Sequence, residues 1–330
     1  MNTSDPRSAR LPVVVGLGPV DPALVSNVLD GHCRFIPDPD GADLCVAAGA
    51  IARAEARVDQ ALLAEAPELQ VIARTGVGVE LVDVPAATAR GIAVVITPGA
   101  GTAAVAEGTI GMALHLVKRF GPLTALVRDG RWAQRSDTGV GDLDGATLGV
   151  IGYGRIGQRT AALGAAFGMR ILAYDPVSEP PGDVRCASVG DLTARSDVIT
   201  LHLPLSEQTR HLVNDAFLAQ VRKGAILVNC GRGALIDTDA VWRALTAGRL
   251  AGVGLDVFDP EPPGRHPLYS HPDVVLTPHL MGLSRRATAA TFTAAARGVL
   301  DVLCGREPQA VADPAWHTHS LPEGITHDHS

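Results

Sequence analysis

A glycine triplet at Gly152, Gly154 and Gly157 constrains the folding of this 330-residue chain more than any other feature. The triplet follows the apolar segment "TLGVI" and opens the helical pattern "RIGQRTAALGAAFG". In a strand–loop–helix unit the first glycine permits a tight turn, the second lets backbone approach a pyrophosphate, and the third lets helix and strand pack closely. Free N–H groups at the start of the helix favour an anion. The segment therefore predicts a Rossmann-type dinucleotide-binding unit.

A carboxylate at the end of the next apolar segment, "RILAYD", indicates which dinucleotide is bound. Asp175 in this position can accept both hydroxyls of an adenosine ribose and would repel a 2′-phosphate. The three residues that follow it, "PVS", include no arginine. We therefore predict NAD rather than NADP. The competing interpretation is that Asp175 is only a turn residue before a proline.

Apolar strand-like segments alternate with Ala-rich helical segments in two successive series, and four such strand segments occur before residue 100. This alternation predicts parallel sheets with helices on both faces, hence two doubly wound α/β domains. We expect a substrate-binding domain over residues 1–100 and 283–330 and an NAD-binding domain over 101–282. The first is discontinuous because the helical segment "SRRATAATFTAAARGVLDVLCG" is expected to return to it.

Composition argues against several kinds of partner. The net charge is −7 and no basic stripe occurs, so we expect no nucleic acid. Five cysteines without a CxxC pair indicate neither a disulfide framework nor a zinc site, and we expect no metal ion. The scattered cysteines fit a reducing cytoplasm, so we expect a cytoplasmic protein. No segment approaches the length of a membrane span, so we expect no membrane partner. The histidine-containing tail "HTHSLPEGITHDHS" is expected to be disordered.

Polar residues follow three apolar segments of the second series. Arg232 lies between two glycines in "NCGRGALID", where its guanidinium fork can grip a carboxylate, although an arginine there can also cap a helix. Glu261 lies between two prolines, which restrict its backbone. His279 ends the segment "VVLTPH", where a lone histidine is more often structural than catalytic. Because the carboxyl ends of parallel strands meet at one ligand-binding edge, we expect all three to lie together.

A contact between Glu261 and His279 would have a chemical purpose. A fixed carboxylate on one ring nitrogen sets the tautomer of an imidazole and favours its protonated form. The other ring nitrogen can then exchange a proton with a substrate near neutral pH. We therefore hypothesise that the two prolines hold Glu261 as the partner of His279.

Together these segments resemble the D-isomer-specific 2-hydroxyacid dehydrogenases, the family of D-3-phosphoglycerate and glyoxylate/hydroxypyruvate dehydrogenases. The similarity runs in the family's order through "RTGVGVELVDVPAATARGI", "LGVIGYGRIG", "VNCGRGALID", "GLDVFDPEPP" and "TPHLMG". It implies a flavodoxin-like and a Rossmann-type domain with the active site in the cleft between them. It also implies a homodimer and NAD(H)-dependent interconversion of a D-2-hydroxy acid and a 2-oxo acid.

The resemblance also implies roles for individual residues. Arg232 would bind the substrate carboxylate and polarise its carbonyl, while His279 would be the acid/base and Glu261 its partner. Asp256 would hold the nicotinamide carboxamide. Backbone N–H groups of Gly76, Val77 and Gly78 would meet the substrate carboxylate. The remaining positions implied to contact the cofactor are Val77, Arg155, Ile156, Leu203, Pro204, Cys230, Gly231 and Gly282.

Departures from the family pattern leave the substrate open. Gly108 stands where the family usually has histidine, and Met281 stands where it usually has a small residue, so a thioether is expected to narrow the site. Other departures are Glu80, Leu81, Ala100 and Gly101.

Two alternatives remain open beside the main prediction. One is an NAD-dependent formate or phosphite dehydrogenase on the same fold, although formate enzymes carry Gln where this chain has Glu261. The other is an NAD(H)-sensing, corepressor-like binding protein.

Overall fold

The computed structural model describes residues 11–53 and 55–317, and it divides the chain into two compact units. The first unit comprises residues up to Gly101 together with those from Arg285 onward, and the second comprises Thr102–Ser284. The predicted domain boundaries lie within two residues of these divisions. Most of the histidine-containing tail, including the histidines at 319, 327 and 329, lies outside the described residues.

The described strands form two separate sheets. In chain order they are β1 (Val13–Leu17), β2 (Arg34–Ile36), β3 (Ala47–Ala52), β4 (Val71–Arg74), β5 (Ala93–Val95), β6 (Thr147–Ile151), β7 (Arg170–Tyr174), β8 (Val198–Leu201), β9 (Ala225–Asn229), β10 (Leu250–Leu255) and β11 (Val274–Leu276).

Helices connect most of these strands. In chain order they are α1 (Ser26–Leu29), α2 (Gly41–Cys45), α3 (Gln60–Glu65), α4 (Val84–Ala89), α5 (Thr102–Val117), α6 (Phe120–Arg128), α7 (Arg155–Ala166), α8 (Val189–Arg195), α9 (Asp215–Gln220), α10 (Thr238–Thr246) and α11 (Arg285–Leu303). Six of them begin at a side chain that accepts a backbone N–H, which satisfies a donor that the helix leaves unpaired. These capping residues are Asp40, Asp59, Asp83, Ser188, Asn214 and Asp237.

The first unit has five parallel strands in the order β2-β1-β3-β4-β5, which is the flavodoxin-like order. The sequence pattern missed β2, a three-residue edge strand that is only partly buried. Helix α11 returns to this unit as expected, and its buried residues Phe292, Ala295 and Val299 pack against one face of the sheet. Both parts of the discontinuous chain therefore contribute to the apolar core of this unit.

The second unit has six parallel strands in the order β11-β10-β9-β8-β6-β7. At the edge of the sheet formed by β7, one isolated parallel bridge joins Ala173 of β7 to Arg185. This bridge stands where the third strand of the usual Rossmann order 3-2-1-4-5-6 would lie, and β11 is added at the opposite edge. Both sheets are thus doubly wound and parallel, in agreement with the predicted fold class.

Within the described residues, no single helix has both the length and the apolar character needed to cross a membrane. Helices α5 and α6 meet that test only as a pair, which is bent by 56°.

Candidate active site

Glu261 and His279 lie in contact after strands β10 and β11 of the second unit. The Nδ1 atom of His279 is 2.8 Å from Oε2 of Glu261, and the backbone N–H of Phe258 donates to Oε1 at 2.9 Å. Both carboxylate oxygens therefore have a fixed partner. With Nδ1 engaged by the carboxylate, Nε2 is the ring nitrogen left to exchange a proton.

The loop that carries Arg232 presses against the loop that carries Glu261. A Cβ at Gly233 would overlap the carbonyl group of Phe258, so only glycine allows the two backbones to approach this closely. Asp259, two residues before Glu261, also forms an ion pair at 3.3 Å with Arg210, which lies in the segment after β8. The structure thus brings the Arg232 and Glu261 loops together, as their positions at strand ends predict.

The Arg232 loop is organised by Asn229, a buried residue that sequence reasoning did not single out. Its side-chain Oδ1 accepts the N–H of Gly231 at 3.0 Å, and its Nδ2 donates to the carbonyl oxygen of Arg232 at 2.9 Å. Its place at the last position of β9, three residues before Arg232, was the available signal. A short polar side chain there closes the turn on both sides.

Asp256 is 2% exposed and its carboxylate holds the loop that contains His279. Its Oδ1 accepts the Thr277 hydroxyl at 2.6 Å and the Leu280 N–H at 2.9 Å, while its Oδ2 accepts the Met281 N–H at 3.1 Å. Sequence reasoning assigned Asp256 to the nicotinamide carboxamide. A carboxylate has about four acceptor positions, and three are used inside the protein.

The glycine loop fits a pyrophosphate. A Cβ at Gly152 would lie 2.6–2.8 Å from backbone atoms of residues 202 and 203, and a Cβ at Gly157 would overlap the Gly152 carbonyl. Gly154 differs, because a Cβ there would meet no protein atom within 4 Å. It is also the N-cap of α7 and provides no side-chain cap, so the first N–H groups of α7 are available to an anion.

Asp175 follows β7 next to this loop. Its carboxylate accepts the Tyr153 N–H at 2.6 Å and the N–H groups of Val177 and Ser178 at 2.8 Å each. These bonds fix a negative charge beside the glycine loop, where a ribose is expected. Asp175 can therefore stabilise the turn that follows it and also bind a ribose.

The other predicted cofactor positions gather at the same edge of this sheet. Arg155 and Ile156 open α7, Leu203 and Pro204 follow β8, and Cys230 and Gly231 follow β9, while Gly282 follows the His279 loop. Burial raises the pKa of the Cys230 thiol to about 12. The thiol is therefore neutral at physiological pH and is not a nucleophile.

Sequence reasoning also missed His202, which lies between Gly152 and Cys230 at the end of β8. Both of its ring nitrogens, like the Thr200 hydroxyl, are buried without a hydrogen-bond partner among the described residues. Burial lowers the pKa of His202 to about 4, so its imidazole is neutral at pH 7.

Gly76, Val77 and Gly78 follow β4 in the first unit. The Gly76 N–H already donates to the Thr97 hydroxyl at 2.8 Å, and the buried Arg74 side chain donates to the Gly78 carbonyl at 3.0 Å. The N–H groups of Val77 and Gly78 are therefore the predicted substrate donors that this loop leaves available.

Two departures from the family pattern are coupled in the second unit. A Cβ at Gly108 would overlap the thioether of Met281, so the side chain of Met281 occupies space that any larger residue at 108 would need. The thioether packs against α5 within the apolar cluster of this unit. Gly108 and Met281 thus form one packing arrangement.

The chain is similar to known proteins over most of its length. The model of the family "D-isomer specific 2-hydroxyacid dehydrogenase, NAD binding domain" matches residues 110–281. D-3-phosphoglycerate dehydrogenase of Methanocaldococcus jannaschii is 40% identical over 268 residues, which cover 80% of this chain and 51% of that protein. The chain therefore spans about half the length of this curated relative.

Two solved structures are similar over most of the chain. A protein of Thermus thermophilus is 37% identical with a TM-score of 0.82, covering 91% of this chain and 100% of that one. D-lactate dehydrogenase of Aquifex aeolicus, solved with NAD and lactic acid, is 28% identical with a TM-score of 0.77, covering 89% and 96%.

Proposed function

Because this chain belongs to the D-isomer-specific 2-hydroxyacid dehydrogenase family, we propose that it is an NAD(H)-dependent oxidoreductase that interconverts a D-2-hydroxy acid and a 2-oxo acid. The observation that carries this proposal is the 2.8 Å contact between His279 and Glu261, beside the Arg232 loop. This arrangement joins a proton carrier to a guanidinium that suits a carboxylate, which is what a 2-oxo acid requires.

Side chains of this protein would bind the substrate and transfer the proton, and the cofactor would supply the hydride. Bound NAD(H) would supply the hydride chemistry at C2, in either direction, between the oxo acid and the hydroxy acid. In the reduction direction, His279 donates its Nε2 proton to O2, and in oxidation Nε2 takes that proton back. Glu261 stabilises the imidazolium through Nδ1. Arg232 binds the carboxylate and stabilises negative charge on O2, a contribution of about 3–4 kcal/mol for one such donor.

The cofactor proposal rests on the glycine loop. The open position at Gly154 and the uncapped start of α7 would hold the pyrophosphate, and the Asp175 carboxylate would face the adenosine ribose. A 2′-phosphate would be repelled by that carboxylate, which supports NAD over NADP.

The assembly and location are part of the proposal. Exposed apolar side chains on α6 and the segment after it support a homodimer built on the second unit, and they are Phe120, Val127, Trp132 and Val140. Five free cysteines support a cytoplasmic protein, since thiols persist in a reducing compartment.

A panel of substrates tests the proposal. Purified protein is mixed with NADH and glyoxylate, hydroxypyruvate, pyruvate or 2-oxobutyrate, and the loss of reduced nicotinamide absorbance is followed. The D and L forms of the chiral hydroxy acids that match the last three, which are glycerate, lactate and 2-hydroxybutyrate, are then compared with NAD. Formate and phosphite are tested with NAD in the same way. We expect turnover of at least one oxo acid and preference for the D form. Turnover of formate or phosphite alone, or NADH binding without any turnover, would contradict the proposal.

Substitution of Arg232 tests its assigned role. We expect Arg232→Lys to lower kcat/KM by about 10²–10³-fold, because lysine keeps the charge and loses the fork. Arg195→Lys is the matched control, since Arg195 pairs with Asp191 on the surface of α8. Unchanged turnover by Arg232→Lys would show that this guanidinium does not bind substrate.

A further inference from the structure

Two buried polar residues lie at the carboxyl ends of adjacent strands, next to the loops that carry the proposed catalytic groups. Asn229 ends β9 and is fully buried, and Asp256 follows β10 at 2% exposure. The Asp256 N–H donates to the Asn229 carbonyl oxygen at 3.0 Å. The backbone of one residue is therefore tied to the backbone of the other.

From this pair, hydrogen bonds run outward to both catalytic loops. On one side the Asn229 amide holds the N–H of Gly231 and the carbonyl oxygen of Arg232. On the other side the carbonyl oxygen of Asp256 accepts the N–H of His279 at 2.7 Å. Its carboxylate accepts three further donors from the same loop, which are Thr277, Leu280 and Met281.

The backbone of His279 needs this support. Its φ is +56°, a left-handed conformation that is unfavourable for a non-glycine residue. Such conformations persist where surrounding bonds over-determine them. Four of the bonds that surround His279 come from Asp256, which makes Asp256 the main support of this conformation.

We propose that Asn229 and Asp256 form one buried brace that positions Arg232 and His279 relative to each other. The brace rests on the proposed function, because it matters only where both groups act on one substrate. Neither residue needs to touch the substrate: each acts through the loop it holds, and the bond between them couples the loops. For Asp256 this role is additional to any contact with the cofactor, since three acceptor positions of its carboxylate serve the loop.

Single substitutions give the first test. In Asp256→Asn an amide NH₂ replaces one carboxylate oxygen and faces an N–H or O–H donor of the loop, so the loop must shift. We expect kcat to fall about 100-fold with little change in the Kd for NADH, because a displacement near 1 Å has that effect on a positioned reaction. We expect Asn229→Ala to lower kcat similarly and to raise KM for the oxo acid.

Melting temperatures establish that both variants fold. Should Asn229→Ala not fold, Asn229→Asp takes its place, because it keeps the acceptor for Gly231 and loses the donor to Arg232. Asp197→Asn is the matched control. Asp197 accepts the Thr147 N–H at 2.8 Å at the amino ends of the strands, the opposite end of the same sheet from the catalytic loops. We expect this substitution to lower stability and leave kcat within about threefold of the wild-type value.

The double variant tests the coupling itself. If the two residues act as one brace, Asn229→Ala combined with Asp256→Asn lowers kcat about 100-fold, as each does alone. Independent roles predict the product of the two effects, about 10⁴-fold. A multiplicative loss would overturn the brace, and so would an Asp256→Asn variant that loses only NADH affinity.

A measurement without turnover separates this proposal from the proposed function. In protein labelled with [¹⁵N]histidine, the ring signals of His279 are identified by their absence in His279→Gln. We expect Asn229→Ala to shift these signals although Asn229 lies on the other side of the brace, and Asp197→Asn to leave them in place. Unshifted His279 signals in Asn229→Ala would overturn the brace even in an active enzyme. A wild-type protein that reduces no oxo acid would instead overturn the proposed function.

Discussion

His202 follows β8, with its backbone close to Gly152, and both of its ring nitrogens are buried without a hydrogen-bond partner among the described residues. A charge in such a place is costly, which is why burial lowers the pKa of His202 to about 4 from its usual 6.5. In the unfolded chain the same imidazole is solvated and binds its proton more tightly. Folding therefore favours the neutral form.

This difference predicts a pH dependence of stability. Between pH 6.5 and 4 the unfolded state binds more protons than the folded state, so the free energy of unfolding rises with pH across this window. The contribution of His202 is fully present above pH 6.5 and is lost as the pH falls towards 4. A shift of this size corresponds to about 3 kcal/mol.

Urea unfolding at several pH values measures the effect. We expect the free energy of unfolding of the wild type to fall about 3 kcal/mol further between pH 6.5 and 4 than that of a His202→Leu variant, which cannot titrate there. His32→Gln, in an exposed turn, controls for the removal of one histidine. Equal pH dependence in the wild type and His202→Leu would mean that this imidazole is solvated in the folded protein.

At the scale of elements, the β6–α7 unit uses its glycines for different reasons. Gly157 has no room for a Cβ, because the carbonyl of Gly152 lies there. Gly154 has room, yet it faces the side where the α7 N–H groups are available. One glycine therefore serves the packing of helix on strand, and the other serves the ligand.

Alanine substitutions separate the two reasons. We expect Gly154→Ala to lower stability by less than about 1 kcal/mol, since its backbone is in the extended region that alanine readily adopts. The added methyl group should nevertheless raise the Kd for NADH at least about tenfold, because the pyrophosphate must approach that backbone. NADH fluorescence titration and urea unfolding give the two quantities.

Gly157→Ala is the matched counterpart. We expect it to lower stability by about 1–3 kcal/mol, because the helix must move away from the strand. A Gly154→Ala protein that bound NADH normally would show that the dinucleotide does not use this loop.

At the scale of the whole molecule, the second unit leaves an apolar surface on α6 and the turn after it. Val127 and Trp132 are each 62% exposed. A surface on which large exposed apolar side chains cluster is often a site of interaction with another molecule. Valine and tryptophan side chains are usually well buried, so the exposure of both here indicates a surface that another chain covers.

This surface leads to the expectation of a homodimer. We expect sedimentation to give about twice the mass of one chain, and Val127→Glu combined with Trp132→Glu to give monomers, because buried unpaired charges of one sign are costly at an interface. Val177→Arg is the control, since Val177 is 90% exposed on a different loop. A wild-type monomer at micromolar concentration would contradict the expectation.

Particular residues show how much of the fold and of the candidate site can be predicted from the sequence. Local patterns predicted the strand–glycine loop–helix unit and both parallel sheets, because alternating apolar and helical segments leave few other folds. They also placed Arg232, Glu261 and His279 at one edge, because the carboxyl ends of parallel strands meet there. The contact between Glu261 and His279 followed from that placement.

Only the tertiary structure decided which partners the polar groups find. Asp256 bonds to residues 277–281, Asn229 closes the Arg232 turn, and the ring nitrogens of His202 are buried without a hydrogen-bond partner among the described residues. Met281 fills the space at Gly108, although the two residues lie far apart in the chain. The physical reason is common to all of them. Hydrogen-bond partners and packing neighbours that are distant in sequence are set by strand register and helix placement, which no local pattern encodes.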